Sequence, residues 1–68
     1  MEIEQAVARI KDFLNDNETI LKISQLEERA ELPALTLYRI KTGERSRLTV
    51  TQLKKVQSVL SKYGFSIN

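Results

Sequence analysis

The sequence contains no cysteine and no histidine, a single proline and only two glycines. Without cysteine there is neither a disulfide framework nor a thiolate metal site. Without histidine, the commonest general base and the commonest transition-metal ligand are both missing. Catalysis would then need paired carboxylates or an activated serine in a pocket. The acidic residues instead scatter over helix surfaces, and no glycine-rich loop accompanies them. The chain therefore reads as neither an enzyme nor a metal or cofactor protein. No apolar run approaches the roughly 20 residues needed to span a bilayer. The opening Met-Glu-Ile-Glu-Gln is acidic where a secretory signal would be basic and then apolar. These absences point to a cytoplasmic protein with no membrane partner.

What remains is 68 residues, enough for one domain near the lower limit for an unstapled core. With 41% hydrophobic and 29% charged residues, the chain reads as globular rather than disordered. Net charge is only +2, but the charges are segregated. Residues 1–34 carry Arg9, Lys11, Lys22 and Arg29 against eight acidic residues. Residues 35–68 carry Arg39, Lys41, Arg45, Arg47, Lys54, Lys55 and Lys62 against Glu44 alone, so the halves stand at −4 and +6. A one-sided basic half is the footprint of a polyanion partner. The plainer alternative is that these lysines and arginines only keep exposed helices soluble.

Hydrophobic periodicity gives an all-α chain. Ile3, Ala6, Val7, Ile10, Phe13 and Leu14 trace one face of a first helix over about 2–15, which Asn15-Asp16-Asn17 interrupts. The β-branched stretch Thr19 to Ile23 is ambiguous. Ser24 followed by Glu27 predicts a capping box opening a short second helix, with Leu26 and Ala30 inward. Pro33 suits a first helical position and Gly43 a position just past a helix end, which predicts a third helix over 33–42. Thr49 with Gln52 predicts a second capping box and a last helix over about 49–63. Val50, Leu53, Val56, Leu60 and Tyr63 form its stripe, and Gly64 closes it.

The second and third helices are joined by only Glu31-Leu32-Pro33, which forces a sharp crossing of the helix-turn-helix kind. Leu26, Ala30, Leu32, Leu37 and Ile40 supply the apolar residues that such a crossing buries. Here "ISQLEERAELPALTLYRIKTG", followed by "RSRLTVTQLKKVQSVL", resembles the lambda-repressor-like (XRE/Cro-type) helix-turn-helix domain of phage repressors and bacterial antitoxins. Two positions depart from that pattern. Glu27 stands where the family has a small residue, and would lean outward or serve as a cap partner. Glu31 stands where it has glycine, at a cost on the order of 1 kcal/mol in a left-handed turn.

The resemblance implies a compact four- to five-helix domain that regulates transcription from double-stranded DNA, reading it as a symmetric homodimer. The third helix would enter the major groove, with Ala34, Leu35, Thr36, Tyr38 and Arg39 facing bases. Arg39 can donate two hydrogen bonds to guanine, while Ala34 and Leu35 can pack on thymine methyls. Lys41, Thr42, Arg45, Arg47, Thr49, Thr51, Lys54 and Lys55 would meet phosphates, helped by the dipole of the last helix. Each assignment has a simpler counterpart: Arg39 can pair with a glutamate, and Leu35 with Tyr38 can form a protein-binding patch. The rival function is accordingly a small interaction module, an antitoxin or phage accessory protein that binds a cognate toxin or phage protein. The tail Phe65-Ser66-Ile67 either packs on the first helix, pairs between subunits as a strand, or plugs its own core through Phe65.

Overall fold

The computed structural model describes residues 2–65, which form four helices, α1 (Ile3–Asp16), α2 (Ile23–Arg29), α3 (Thr36–Thr42) and α4 (Val50–Ser61), with no strand among them. The stripe on α1 buries Ala6, Val7, Ile10 and Leu14, with Ile3 and Phe13 half-covered at its edges. The helix stops at the polar break for a local reason. The Asn17 backbone N–H and its side-chain Nδ2 both donate to the Phe13 carbonyl, at 3.1 and 2.9 Å. The ambiguous stretch that follows is a turn, with Ile20 and Leu21 donating back to the Asn17 carbonyl. Leu21 turns into the core while Ile20 points to solvent.

The second helix opens differently from expectation. It starts at Ile23, its N-cap is Lys22, and no side chain caps it, so the Ser24–Glu27 box does not form. Glu27 is instead buried at 6% exposure. Its Oε2 accepts the backbone N–H groups of Leu37 at 2.7 Å and Tyr38 at 3.3 Å. A glutamate in an apolar interior is costly unless its oxygens find donors. Here they find two amides at the start of the next helix, where four N–H groups would otherwise lack partners and negative charge is favoured.

This cap also explains why α3 begins at Thr36 rather than Pro33. In a helix starting at Pro33, the Leu37 amide would bond the Pro33 carbonyl. Glu27 takes that amide, and the Pro33 carbonyl instead accepts the Thr36 hydroxyl at 2.8 Å. Leu35, between them, adopts φ +70° and ends any helical continuity. Pro33 and Ala34 are therefore exposed turn residues.

The turn between α2 and α3 has the Schellman hydrogen-bond pattern. Leu32 N–H donates to the Glu27 carbonyl and Glu31 N–H to the Glu28 carbonyl, with Glu31 left-handed at φ +55°. The same pattern closes α4, where Phe65 N–H reaches the Leu60 carbonyl and Gly64 N–H the Ser61 carbonyl. There the left-handed residue is Gly64, φ +94°, for which the conformation carries no Cβ penalty. At both ends the following apolar residue folds inward: Leu32 rests on the core, and Phe65 is buried edge-on against Phe13, ring centres 5.1 Å apart. Phe65 thus fills its own core, while Ser66 to Asn68 lie outside the described residues.

Leu26, Ala30, Leu37 and Ile40 are all buried, as the crossing requires, and α3 packs against both α1 and α2. The α4 capping box forms as expected, with Thr49 accepting from Gln52 N and Gln52 accepting from Thr49 N. Its stripe is narrower than the sequence suggested. Val56 and Leu60 are buried and Leu53 packs on the core, but Val50 and Tyr63, at the two ends, are exposed. Tyr63 instead accepts a hydrogen bond from Arg29 Nη1 at 2.9 Å, which ties the end of α2 to the end of α4.

Glu27→Ala removes the acceptor from both α3 amides and is expected to destabilise the domain by roughly 2–4 kcal/mol in urea denaturation. Glu27→Gln keeps an amide oxygen at the same place and should cost about half as much or less.

Candidate nucleic-acid interface

The face of α3 turned away from the core begins in the turn before it. Tyr38, Arg39 and Thr42 lie on that side of α3 and are exposed, and Leu35 and Ala34, in the turn before the helix, are exposed too. Thr36 is the exception among the residues expected to face bases. It is 3% exposed, and its hydroxyl is used on the Pro33 carbonyl, so it belongs to the inner side of the helix start.

Leu35 combines a left-handed backbone with a half-exposed apolar side chain. A left-handed φ disfavours a side chain with a Cβ by about 1 kcal/mol, and glycine or asparagine would meet it more cheaply. The side chain also remains 50% exposed, so burial recovers only part of that cost. Tyr38, one turn along, is 49% exposed. The two form an exposed apolar spot beside Arg39.

Those cations are not equivalent. Arg39 lies 3.9 Å from Glu44, with both side chains more than half exposed, a contact of the kind that contributes little. Lys41 Nζ sits 3.1 Å from a Glu18 oxygen, and Arg47 Nε is 3.1 Å from a Glu4 oxygen. Arg45 is a brace. Its Nε donates to the Arg47 carbonyl at 2.7 Å and its Nη2 to Gln52 Oε1 at 3.2 Å, while its backbone N–H reaches the Arg39 carbonyl. It therefore links α3, the loop after it and the capping box of α4. Thr51 and Lys54 are exposed on α4, and Lys55 is half-buried. Thr49 is exposed, with its hydroxyl oxygen accepting the Gln52 amide. The Thr42 hydroxyl donates to the Arg39 carbonyl.

Several residues that shape this surface were not singled out in the sequence. Glu4 and Glu18 reach the basic half from 43 and 23 residues away, distances over which no spacing rule operates. Asn15 Nδ2 donates to the carbonyls of Lys11 and Lys41, at 3.0 and 3.1 Å, and so pins the end of α1 to the end of α3. Gln52 was legible as a cap partner, but its second role in holding Arg45 depends on how the loop folds back. Comparison with protein families, with curated proteins and with solved structures yields no match to this chain.

Leu35→Asn exchanges modest burial for a residue that tolerates the left-handed region, so stability should stay within about 1 kcal/mol of the parent. Leu37→Ala, two residues along but buried, should cost roughly 2–5 kcal/mol in the same denaturation experiment.

Proposed function

We propose that this chain is a sequence-specific DNA-binding regulator of transcription, a lambda-repressor-like domain of the phage-repressor or antitoxin type. The observation that carries this reading is the exposed set Leu35, Tyr38, Arg39 and Thr42 on and just before the second of two helices joined by the six-residue turn from Ala30 to Leu35, with Lys41 in the last turn of that helix and Arg45 and Arg47 following it. In such an arrangement the turn at Ala34–Leu35 and the first turns of α3 enter the major groove. Arg39 donates to guanine, with the weak Glu44 contact easily given up, and Ala34, Leu35 and Tyr38 meet base edges and thymine methyls. Lys41, Arg47, Thr49, Thr51, Lys54 and Lys55 engage the phosphates on either side, and Arg45 keeps the loop in register. One such module covers only a few base pairs, so a homodimer on two half-sites completes the proposal.

A second reading is supported by the same apolar spot. Leu35 and Tyr38, half exposed and next to an arginine already near a glutamate, also suit a protein partner such as a cognate toxin or phage protein. Salt separates the two. Phosphate contacts release counterions, so DNA affinity falls steeply as salt rises, by several powers of ten for about six contacts between low and physiological salt. Titrating an unrelated duplex at two salt concentrations should show that slope, and absent or salt-independent binding favours the protein partner.

Arg39→Ala should weaken binding to a selected site and relax preference at one base position by about 1–3 kcal/mol of discrimination. Lys54→Ala with Lys55→Ala should weaken all sequences alike and flatten the salt slope. Site selection from random duplexes reads the first effect, and equilibrium binding at several salt concentrations reads the second. Unchanged affinity in both variants would place the interface elsewhere.

A further inference from the structure

We infer that Glu4 and Glu18 are built-in competitors of the DNA phosphates, carboxylates that occupy Arg47 and Lys41 in the free chain and hold its affinity below what its cations would otherwise give. This inference rests on the DNA-binding proposal above and adds a regulatory element to the same surface. Both contacts are short, 3.1 Å from nitrogen to oxygen, and both join the acidic half to the basic half. Glu4 lies in the first turn of α1 and Glu18 in the turn that follows α1.

Their placement follows from the packing of α1 on α3. Asn15 holds the Lys41 carbonyl, so the chain just beyond it brings Glu18 onto the Lys41 ammonium. At the other end, Gly43 sits against Lys11, where a Cβ would lie 3.2 Å from the ammonium nitrogen. The loop after Gly43 runs along α1, where Gly43, Arg45 and Ser46 share a cleft with Glu4, Ala8 and Lys11, and Arg47 arrives beside Glu4. The two carboxylates offer the cations what a phosphate offers, anionic oxygens at hydrogen-bond range. A duplex that takes these cations must part each from its carboxylate, and then leaves that carboxylate close to the phosphates, where like charges repel.

The two sites differ in a way that ranks their effects. The Lys41 side chain is 22% exposed and its partner Glu18 58%, and a pair with one covered partner is screened less than one open on both sides. The Arg47 side chain is 76% exposed, so its contact is the weaker one. Removing Glu18 therefore matters more than removing Glu4.

The test measures equilibrium binding of the full chain to a fluorescent duplex of random sequence at about 50 and 200 mM salt. The variants are Glu4→Gln, Glu18→Gln, the double variant, and Asp12→Asn as a control. Asp12 lies on the side of α1 near Phe13 and Phe65, so Asp12→Asn makes the same change in net charge away from the basic loop. The expected result is a gain of roughly twofold to fivefold for Glu18→Gln and a smaller gain for Glu4→Gln. The two should combine in the double variant, and the salt slope should steepen by up to about one unit per carboxylate removed. If the parent binds with a steep slope but these variants gain no more than Asp12→Asn, the inference is overturned while DNA binding stands. If none of the proteins shows salt-dependent binding, the proposed function falls and takes this inference with it.

Discussion

One carboxylate organises the middle of this molecule. Glu27 closes α2 through its backbone, where its carbonyl accepts the Leu32 amide. It opens α3 through its side chain, where Oε2 accepts Leu37 and Tyr38. A helix of seven residues has little stability of its own, because nucleating a helix fixes several residues before many hydrogen bonds repay the loss of freedom. What keeps α3 in place is the burial of Leu37 and Ile40 on one side and this cap at its start. The direction in which the outer face points is a consequence of where Glu27 sits.

The parts of this architecture that could be read from the sequence are those that depend on neighbours within four or five positions. The α1 stripe recurs at helical spacing, the Thr49–Gln52 box is complete within four residues, and Gly43 and Gly64 mark helix ends because left-handed backbone favours glycine. The inward set Leu26, Ala30, Leu32, Leu37 and Ile40 was legible for the same reason. Ser24 stands three residues before Glu27 and matches a capping pattern, so local spacing points to the wrong partner for that carboxylate. The donors that it found lie ten and eleven residues on, across a turn. The start of α3 shifts with it, to Thr36. Pro33 is a good first residue in general, but tertiary capping took the amide that an earlier start would have used. The end residues Val50 and Tyr63 match the period of the α4 stripe yet lie beyond the width of the core.

The candidate surface shows the same division. Which side chains project from α3 followed from periodicity, apart from Thr36, whose short hydroxyl found a carbonyl inside the turn. That Arg39 can pair with a glutamate was legible and Glu44 lies beside it, but the partners of Lys41 and Arg47 were not, since Glu18 and Glu4 belong to the other half of the sequence. The separation of charge along the chain is partly undone in space, because α1 lies against α3 and brings Glu4, and Glu18 in the turn after it, to Arg47 and Lys41. A net charge per segment is thus a poor guide to the field at any one point on so small a body.

Both ends of α3 are bounded by left-handed residues, Leu35 at φ +70° and Gly43 at φ +90°. A right-handed helix does not continue through a left-handed residue, so α3 is confined to the seven residues between them. The same two residues fix where the chain enters and leaves the helix.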